Sequence, residues 1–314
     1  MKAVIYRRPG SPDVLEYAEV PQPVIRDRQV LVKVHAAGVN PVDWKMRRMR
    51  LRVPWQRWPM IPGSDLAGEV VHAGAAATRF RSGDAVYGLL SPFTGGAYAQ
   101  YAAIREDRVA RKPTNLSFEE AASVPVAGLA ALQALRDLGH IAAGHRVLIN
   151  GASGGVGMFA VQIAKAYGAT VTAVASGKNG AFAKELGADR VVDYRTEDFT
   201  RSGGPYDLIF DAVASRSFAE CRPVLDRHGV YVSTLPSVAT VLDPVLGAVR
   251  RGPRARAVVL RVKPGDLDAL TALIEAGKVR PRIERIFPLA QAAEAHALSE
   301  AGRVRGKLVL RMDD

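Results

Sequence analysis

The sequence predicts an α/β chain in which a β-rich N-terminal region precedes a doubly wound parallel sheet. Three observations carry that expectation. From Arg146 onward, short apolar strands alternate with helical segments, the pattern of a parallel sheet covered on both faces. The first of those strands, R-V-L-I-N, runs straight into a glycine-rich turn, G-A-S-G-G-V-G, at Gly151 to Gly157. Residues 1 to about 120, by contrast, read as strands broken by Pro-Gly turns such as Pro9-Gly10 and Pro62-Gly63.

Taken in order, Ala3–Tyr6, Val30–Ala37, Gly68–Ala73, Ala85–Leu89 and Gln100–Ile104 are the N-terminal strands, with Ser82-Gly83-Asp84 as a turn. Helical spacing begins at Ser117-Phe118-Glu119-Glu120, where serine followed by acids makes an N-cap, and resumes from Gly128 to Leu138. That change sets a domain boundary near residue 120. After the turn, Thr170–Ala175, Arg190–Val192, Leu208–Ala212, Val230–Ser233 and Val258–Val262 are the second to sixth strands, with a helix at Ala181–Leu186. The chain closes with a helix at Asp266–Ala276, a strand near Arg282–Phe287, a helix at Leu289–Ala301 and a strand at Gly306–Leu310.

The turn points to a phosphate. Glycine lets a backbone bend sharply and approach an anion where a Cβ would collide, and Gly151, Gly154 and Gly157 take those positions, with Ala152, Ser153, Gly155 and Val156 between them. Apolar Phe159, Ile163 and Tyr167 follow at helical spacing, so helix N-terminal amides face the bound group. A strand ahead, a helix behind and no Lys-Ser/Thr pair favour a dinucleotide over a P-loop nucleotide.

Composition narrows the class. In 314 residues, 48% hydrophobic content is ample for two packed domains. No apolar run reaches the roughly 20 residues of a membrane span, and the first residues lack a signal-peptide core, so a cytoplasmic protein is expected. A single cysteine, Cys221, excludes an internal disulfide and any multi-cysteine metal site. The net charge of +12 is spread along the chain outside any nucleic-acid module, with local clusters at Arg47 to Arg57 and Arg250 to Arg256. It favours solvated arginine or an anionic small molecule over specific nucleic acid.

The end of the second strand bears on cofactor choice. An acid there would bind a ribose hydroxyl and repel a 2′-phosphate. The chain instead reads Ala175-Ser176-Gly177-Lys178, so NADP(H) is expected, with Ser176 donating a hydrogen bond and Lys178 supplying charge.

These stretches resemble a known family. G-V-N-P-V-D-W-K at 38–45, I-P-G-S-D-L-A-G-E-V at 61–70, S-G-D-A-V-Y-G at 82–88, P-V-A-G-L-A-A-L-Q-A-L at 125–135, the glycine turn, L-G-A-D at 186–189, V-D-Y at 192–194 and R-G-K at 305–307 span the chain. Together they look like a zinc-independent medium-chain dehydrogenase/reductase of the quinone oxidoreductase and alkenal/enone reductase group. The resemblance implies a GroES-like catalytic domain over residues 1–121 and a Rossmann NADP-binding domain over 122–262, with a C-terminal segment, 263–314, returning to the first. It implies a cofactor in the cleft between the two domains, Asn40 near the nicotinamide and its ribose, and Lys178 and Tyr194 at the adenosine 2′-phosphate. Thr234 and Leu235 would pass near the nicotinamide ring, and Arg305 and Lys307 belong to a segment that closes over the cofactor. Ala130 departs from many relatives, which place a threonine there. Many relatives also pair a last Rossmann strand across a two-fold axis, so a homodimer is expected.

Metal-dependent relatives need a cysteine after G-V and a His-Glu pair after P-G. Here those positions are Asn40 and Ser64-Asp65, so no catalytic zinc is expected. Without a Lewis acid, simple alcohol oxidation is disfavoured and a conjugated enone or quinone becomes the expected hydride acceptor. Asp43 and Lys45, just past Asn40, are the candidates to assist as negative charge forms on the carbonyl oxygen. Trp44, Arg52, Trp55, Arg57 and Trp58 form an arginine- and tryptophan-rich stretch suited to a flat, aromatic or anionic substrate. Two other readings use the same residues: a one-electron quinone reductase, and a non-catalytic NADPH-sensing or RNA-binding protein on this fold.

Overall fold

Alternating apolar and polar residues build the N-terminal sheet. The computed structural model describes residues 1–49, 58–241, 252–263 and 265–312. They fall into two units, one of Met1–Val126, Val262–Glu275 and Pro281–Asp314, the other of Ala127–Arg261 and Ala276–Arg280.

In the first unit β1 (Lys2–Ile5) pairs antiparallel with β2 (Glu16–Glu19). A larger sheet follows, from β3 (Gln29–Val39), β4 (Asp65–Ala73), β5 (Ala85–Leu89), β6 (Tyr101–Arg105) and β7 (Val109–Arg111). Val30, Val32 and Val34 face its core with Leu66, Val86, Tyr98 and Ile104, whereas Lys33 and His35 on the alternate positions are only half-buried. The helix Pro41–Arg48 leaves the end of β3 directly, its proline pre-set for a first helical turn.

The second unit holds the expected alternation: β8 (Arg146–Asn150), β9 (Thr170–Ala175), β10 (Arg190–Asp193), β11 (Tyr206–Asp211), β12 (Leu225–Ser233) and β13 (Arg254–Ala257). All pair in parallel, in the order β10-β9-β8-β11-β12-β13. Strand order therefore reverses between β8 and β11, and sheets of this kind bind ligands at the carboxyl ends of the strands at that reversal. The glycine turn leaves β8 there.

One strand needs correcting. Sequence periodicity puts the sixth strand at Val258–Val262, whereas it lies at Arg254–Ala257, with Ala255 opposite Tyr231 of β12. The apolar run misleads because β13 is an edge strand whose single fully buried side chain is Ala255, while Val259 in the run stays exposed. The helix expected to run to Leu138 also changes form, passing from α-helix at Pro125–Leu132 to a π-helical turn at Gln133–Leu138.

The C-terminal part of the first unit contributes the helices Asp266–Glu275 and Ala292–Glu300 and two strands, β14 (Ile283–Pro288) and β15 (Lys307–Arg311). β15 pairs antiparallel with β3, giving the sheet order β14-β15-β3-β4-β5-β7 with β6 also on β3. No helix among the described residues is long and apolar enough to cross a membrane.

Candidate active site

Register on three neighbouring strands assembles the first cluster. Leu308 of β15 stands opposite Val39 of β3, and Gly38 of β3 opposite Asp65 of β4. Lys307, Asn40 and Asp65 are thereby brought to one end of the sheet, all three buried. Asn40 Nδ2 donates to Asp65 Oδ2 at 2.9 Å, Asp65 Oδ1 accepts the Val126 N–H at 2.9 Å, and Lys307 Nζ donates to Asn40 Oδ1 and, at 3.2 Å, to the Val39 carbonyl. The ammonium lies 3.9 Å from Asp65 Oδ2. Burial pushes Lys307 down, while Asp65 and Asp43 pull it back up. Asp65 is raised to about 6, burial outweighing Lys307 and the hydrogen bonds from Asn40 and Val126.

Asp43, one helical turn on, serves this cluster from beneath. Its carboxylate accepts the Asn40 backbone N–H at 2.8 Å, Ser64 Oγ at 3.2 Å and Tyr98 Oη at 3.2 Å. Burial nevertheless raises it to about 7, against the Asn40 hydrogen bond and with the Asp65 charge assisting. The line of contacts continues from Tyr98 Oη to His296 Nε2 at 3.2 Å and from His296 Nδ1 to Arg47 Nη1 at 2.9 Å, and Arg47 also pairs with Glu300. Tyr98, His296 and Glu300 were invisible to sequence reasoning, since nothing local marks residues so far apart as partners, and Arg47, grouped there with arginines expected to be solvated or to meet an anion, is instead fully buried.

The other candidates from this region separate. Lys45 is exposed, with its ammonium 5.6 Å from the Trp44 ring. Trp44 is half-buried, and its indole N–H is buried with no hydrogen-bond partner among the described residues. Trp58 packs edge-on against Tyr6, ring centroids 5.4 Å apart, beside Val14 and Met60. Arg305 is exposed and its N–H donates to Glu284 at 2.5 Å. Arg52, Trp55 and Arg57 lie outside the described residues.

In the second unit the glycine turn fits a phosphate cradle on steric grounds. Gly151 has φ +78°, and a Cβ on Gly157 would stand 2.1 Å from the Gly151 carbonyl oxygen, so the helix Gly155–Ala166 packs against the turn only through glycine. Gly154 is its N-cap and no side chain caps it, which leaves the first amides of Gly155, Val156 and Gly157 to a ligand. Ala152 is buried beneath the turn, and Ser153 Oγ accepts from Asn179 at 3.1 Å. That contact ties the loop carrying Ser176 and Lys178 to the turn. Ser176 is buried at the end of β9, and Lys178 and Tyr194 are exposed, with the Arg195 guanidinium 5.9 Å from the Tyr194 ring. Asp193 of β10 also approaches, its Oδ2 2.5 Å from where a Gly177 Cβ would be.

Sequence reasoning missed the residue that shapes the neighbouring turn. Asp211, at the end of β11 and fully buried, accepts the N–H groups of Val213, Ala214 and Arg216 at 3.1, 2.8 and 3.0 Å and the Asn150 amide at 2.9 Å. A carboxylate one residue before the end of the fourth predicted strand, beside the reversal point, was the available signal. Thr234 Oγ1 donates to the Ala212 carbonyl at 3.2 Å, and Leu235 beside it is half-exposed. Among the described residues no group of three or more His, Cys, Asp or Glu could hold a metal ion.

Comparison with known proteins gives consistent likenesses. A family model described as alcohol dehydrogenase GroES-like domain matches residues 26–114, and one described as zinc-binding dehydrogenase matches residues 186–310. The solved quinone oxidoreductase from Coxiella burnetii superposes with a TM-score of 0.90 at 37% identity, covering 100% of this chain and 99% of its own. The 2-methylene-furan-3-one reductase of Solanum lycopersicum is 36% identical over 321 residues, 99% of this chain and 79% of that protein. The mitochondrial NAD(P)H oxidoreductase RTN4IP1 of Homo sapiens is 31% identical over 353 residues, 99% of this chain and 89% of that protein.

Proposed function

The chain belongs to the zinc-independent medium-chain dehydrogenase/reductase family, and from that premise we propose that it is an NADPH-dependent reductase of α,β-unsaturated carbonyls or quinones. It is an oxidoreductase with a nicotinamide cofactor. The observation that carries the finer reading is the cluster of Asn40, Asp65 and Lys307: the positions that metal-dependent relatives give to ligands are here bound to one another and to a buried ammonium. Such a cluster offers hydrogen-bond donors and positive charge to a carbonyl oxygen.

In this reading the amides of Gly155 to Gly157 hold the pyrophosphate, with Gly151 to Gly154 forming the turn. Ser176, Lys178 and Tyr194 would hold the 2′-phosphate, and Thr234 and Leu235 would contribute to the nicotinamide end of the site. Bound there, NADPH supplies a hydride to the β-carbon of the enone or to a quinone. Asn40 donates to the oxygen on which negative charge develops, and solvent delivers the proton. Asp43 holds Asn40 through its backbone N–H, which makes its part scaffolding. Trp44, with its unpartnered indole N–H, and the Arg52, Trp55 and Arg57 stretch are proposed to meet a flat or anionic substrate. The edge strand β13, followed by exposed Val259, is proposed to pair across a homodimer axis, which light scattering checks.

The test is loss of NADPH absorbance against a panel of quinones, alkenals, cyclic enones and acidic enones. Turnover of at least one class, faster with NADPH than with NADH, is expected. An inert panel overturns the reading, and semiquinone in a spin-resonance measurement moves it to one-electron reduction.

A further inference from the structure

The Asn40 side chain has a defined orientation and a spare hydrogen. Its Oδ1 accepts from the Lys307 ammonium, which can only donate, and its Nδ2 uses one hydrogen on Asp65. The amide therefore cannot flip without setting an NH2 against an ammonium and an oxygen against a carboxylate. The second Nδ2 hydrogen has no acceptor among the described residues, although Asn40 is only 2% exposed. A buried donor left open in this way is ordinarily satisfied by something bound.

We infer that Lys307 is a positioning residue for the reduction: together with Asp65 it locks the Asn40 amide so that the second Nδ2 hydrogen is offered to the substrate's carbonyl oxygen. The inference rests on the reductase reading above. The contact acts through the amide: a cation on Oδ1 polarises it and strengthens its N–H as a donor, in a cluster buried away from water. Lys307 thereby has a role distinct from the closing segment expected at 305 to 307, because its Nζ is buried against Val39, Asn40 and Asp65.

The experiment compares Lys307→Met, Asn40→Ala and the double variant, using the substrate the wild type reduces best and a fluorescence titration with NADPH. Lys307→Met is expected to lower kcat by about 10- to 100-fold, the worth of one charge-assisted hydrogen bond, while KM and the NADPH Kd stay within about 2-fold. The double variant should be no slower than Asn40→Ala, since Lys307 acts only through that amide. Losses that multiply, or weaker NADPH binding at unchanged kcat, overturn the inference. Because Lys307→Met leaves Asp65 buried without its cation, Lys307→Met with Asp65→Asn, which removes both charges together, is made alongside. That variant folded and slow supports the inference; folded and as fast as wild type, it sinks it. A wild type inert with every acceptor sinks the reductase reading, and the inference falls with it, whereas an active wild type leaves the judgement to Lys307 alone.

Discussion

Arg47 donates through Nη1 to Nδ1 of His296 at 2.9 Å, and because a guanidinium has no acceptor, that contact fixes the tautomer of a buried imidazole. The proton must sit on Nε2, which then donates to Tyr98 Oη, and Tyr98 donates in turn to Asp43. The direction of every bond from the buried Arg47, paired with Glu300, to the Asn40 turn follows from one arginine. Arg47 does not release its proton, so the line orients groups and does not conduct protons.

His296 should therefore stay neutral in the native state well into acid. Burial first, and Arg47 second, push it from the ordinary 6.5 down to about 3. Between those values the unfolded imidazole takes up a proton that the native one refuses, so the wild type loses stability as pH falls through this window. His296→Gln keeps an acceptor for Arg47 and a donor for Tyr98 but does not titrate. In urea unfolding at pH 4 to 7, the stability of the wild type minus that of His296→Gln should fall with decreasing pH, by up to about 1.4 kcal/mol per unit. A difference that does not change with pH would mean that the native imidazole charges freely.

Asp43 works in the opposite direction. It is raised from 3.8 to about 7, burial being the main cause, so between those values the native carboxyl holds a proton that the unfolded chain has released. Stability from this group is full below about pH 4 and is lost as pH rises toward 7. Relative to Asp43→Asn, the wild type should weaken over that rise. The same urea series measures it, and an advantage growing with pH would contradict the raised value.

Gly157 and Gly154 separate a steric requirement from a permissive one. A Cβ at 157 meets the Gly151 backbone oxygen at 2.1 Å, whereas at 154 it meets that oxygen at 3.4 Å, ordinary contact. Gly157→Ala must push the helix off the turn, and a loss of about 1–3 kcal/mol with weakened cofactor binding is expected. Gly154→Ala should stay within about 1 kcal/mol of wild type. Calorimetry with and without cofactor reads both, and equal melting temperatures for the two would refute the contact.

What could be read from the chain and what could not divide along locality. The glycine turn was legible because its demand is steric and falls within seven residues. Strands β8 to β12 were legible because each is apolar and bounded by turns. β13 was misplaced because an edge strand needs only Ala255 inward, and the stronger apolar run after it drew the assignment. Asn40 and Asp65 were singled out only as positions where zinc ligands are replaced. That they bind each other, with Lys307 donating to Asn40 beside the carboxylate, depends on strand register linking positions 40, 65 and 307. Tyr98 and His296 carry no sequence signal at all, and Arg47 shows only as one of a run of arginines that its burial sets it apart from, since such residues mean nothing as partners until packing buries them together.

The cofactor choice rests on the loop after β9 and can be decided there. Lys178 is exposed and free to reach a phosphate, and Tyr194 with Arg195 stands at the end of β10, but Asp193 brings a carboxylate beside Gly177. A ribose hydroxyl could donate to that carboxylate, whereas a 2′-phosphate needs the cations to outweigh it. If Lys178 supplies the deciding charge, Lys178→Ala should weaken NADPH binding by about 10- to 100-fold, the range of one hydrogen bond to a charged group, and leave NADH within about 2-fold. The contrast should shrink with added salt, because the contact is exposed. Fluorescence titration with both cofactors at two ionic strengths measures it. Equal losses for NADPH and NADH would assign Lys178 to the shared part of the dinucleotide, and a tighter hold on NADH than on NADPH in the wild type would hand the ribose to Asp193.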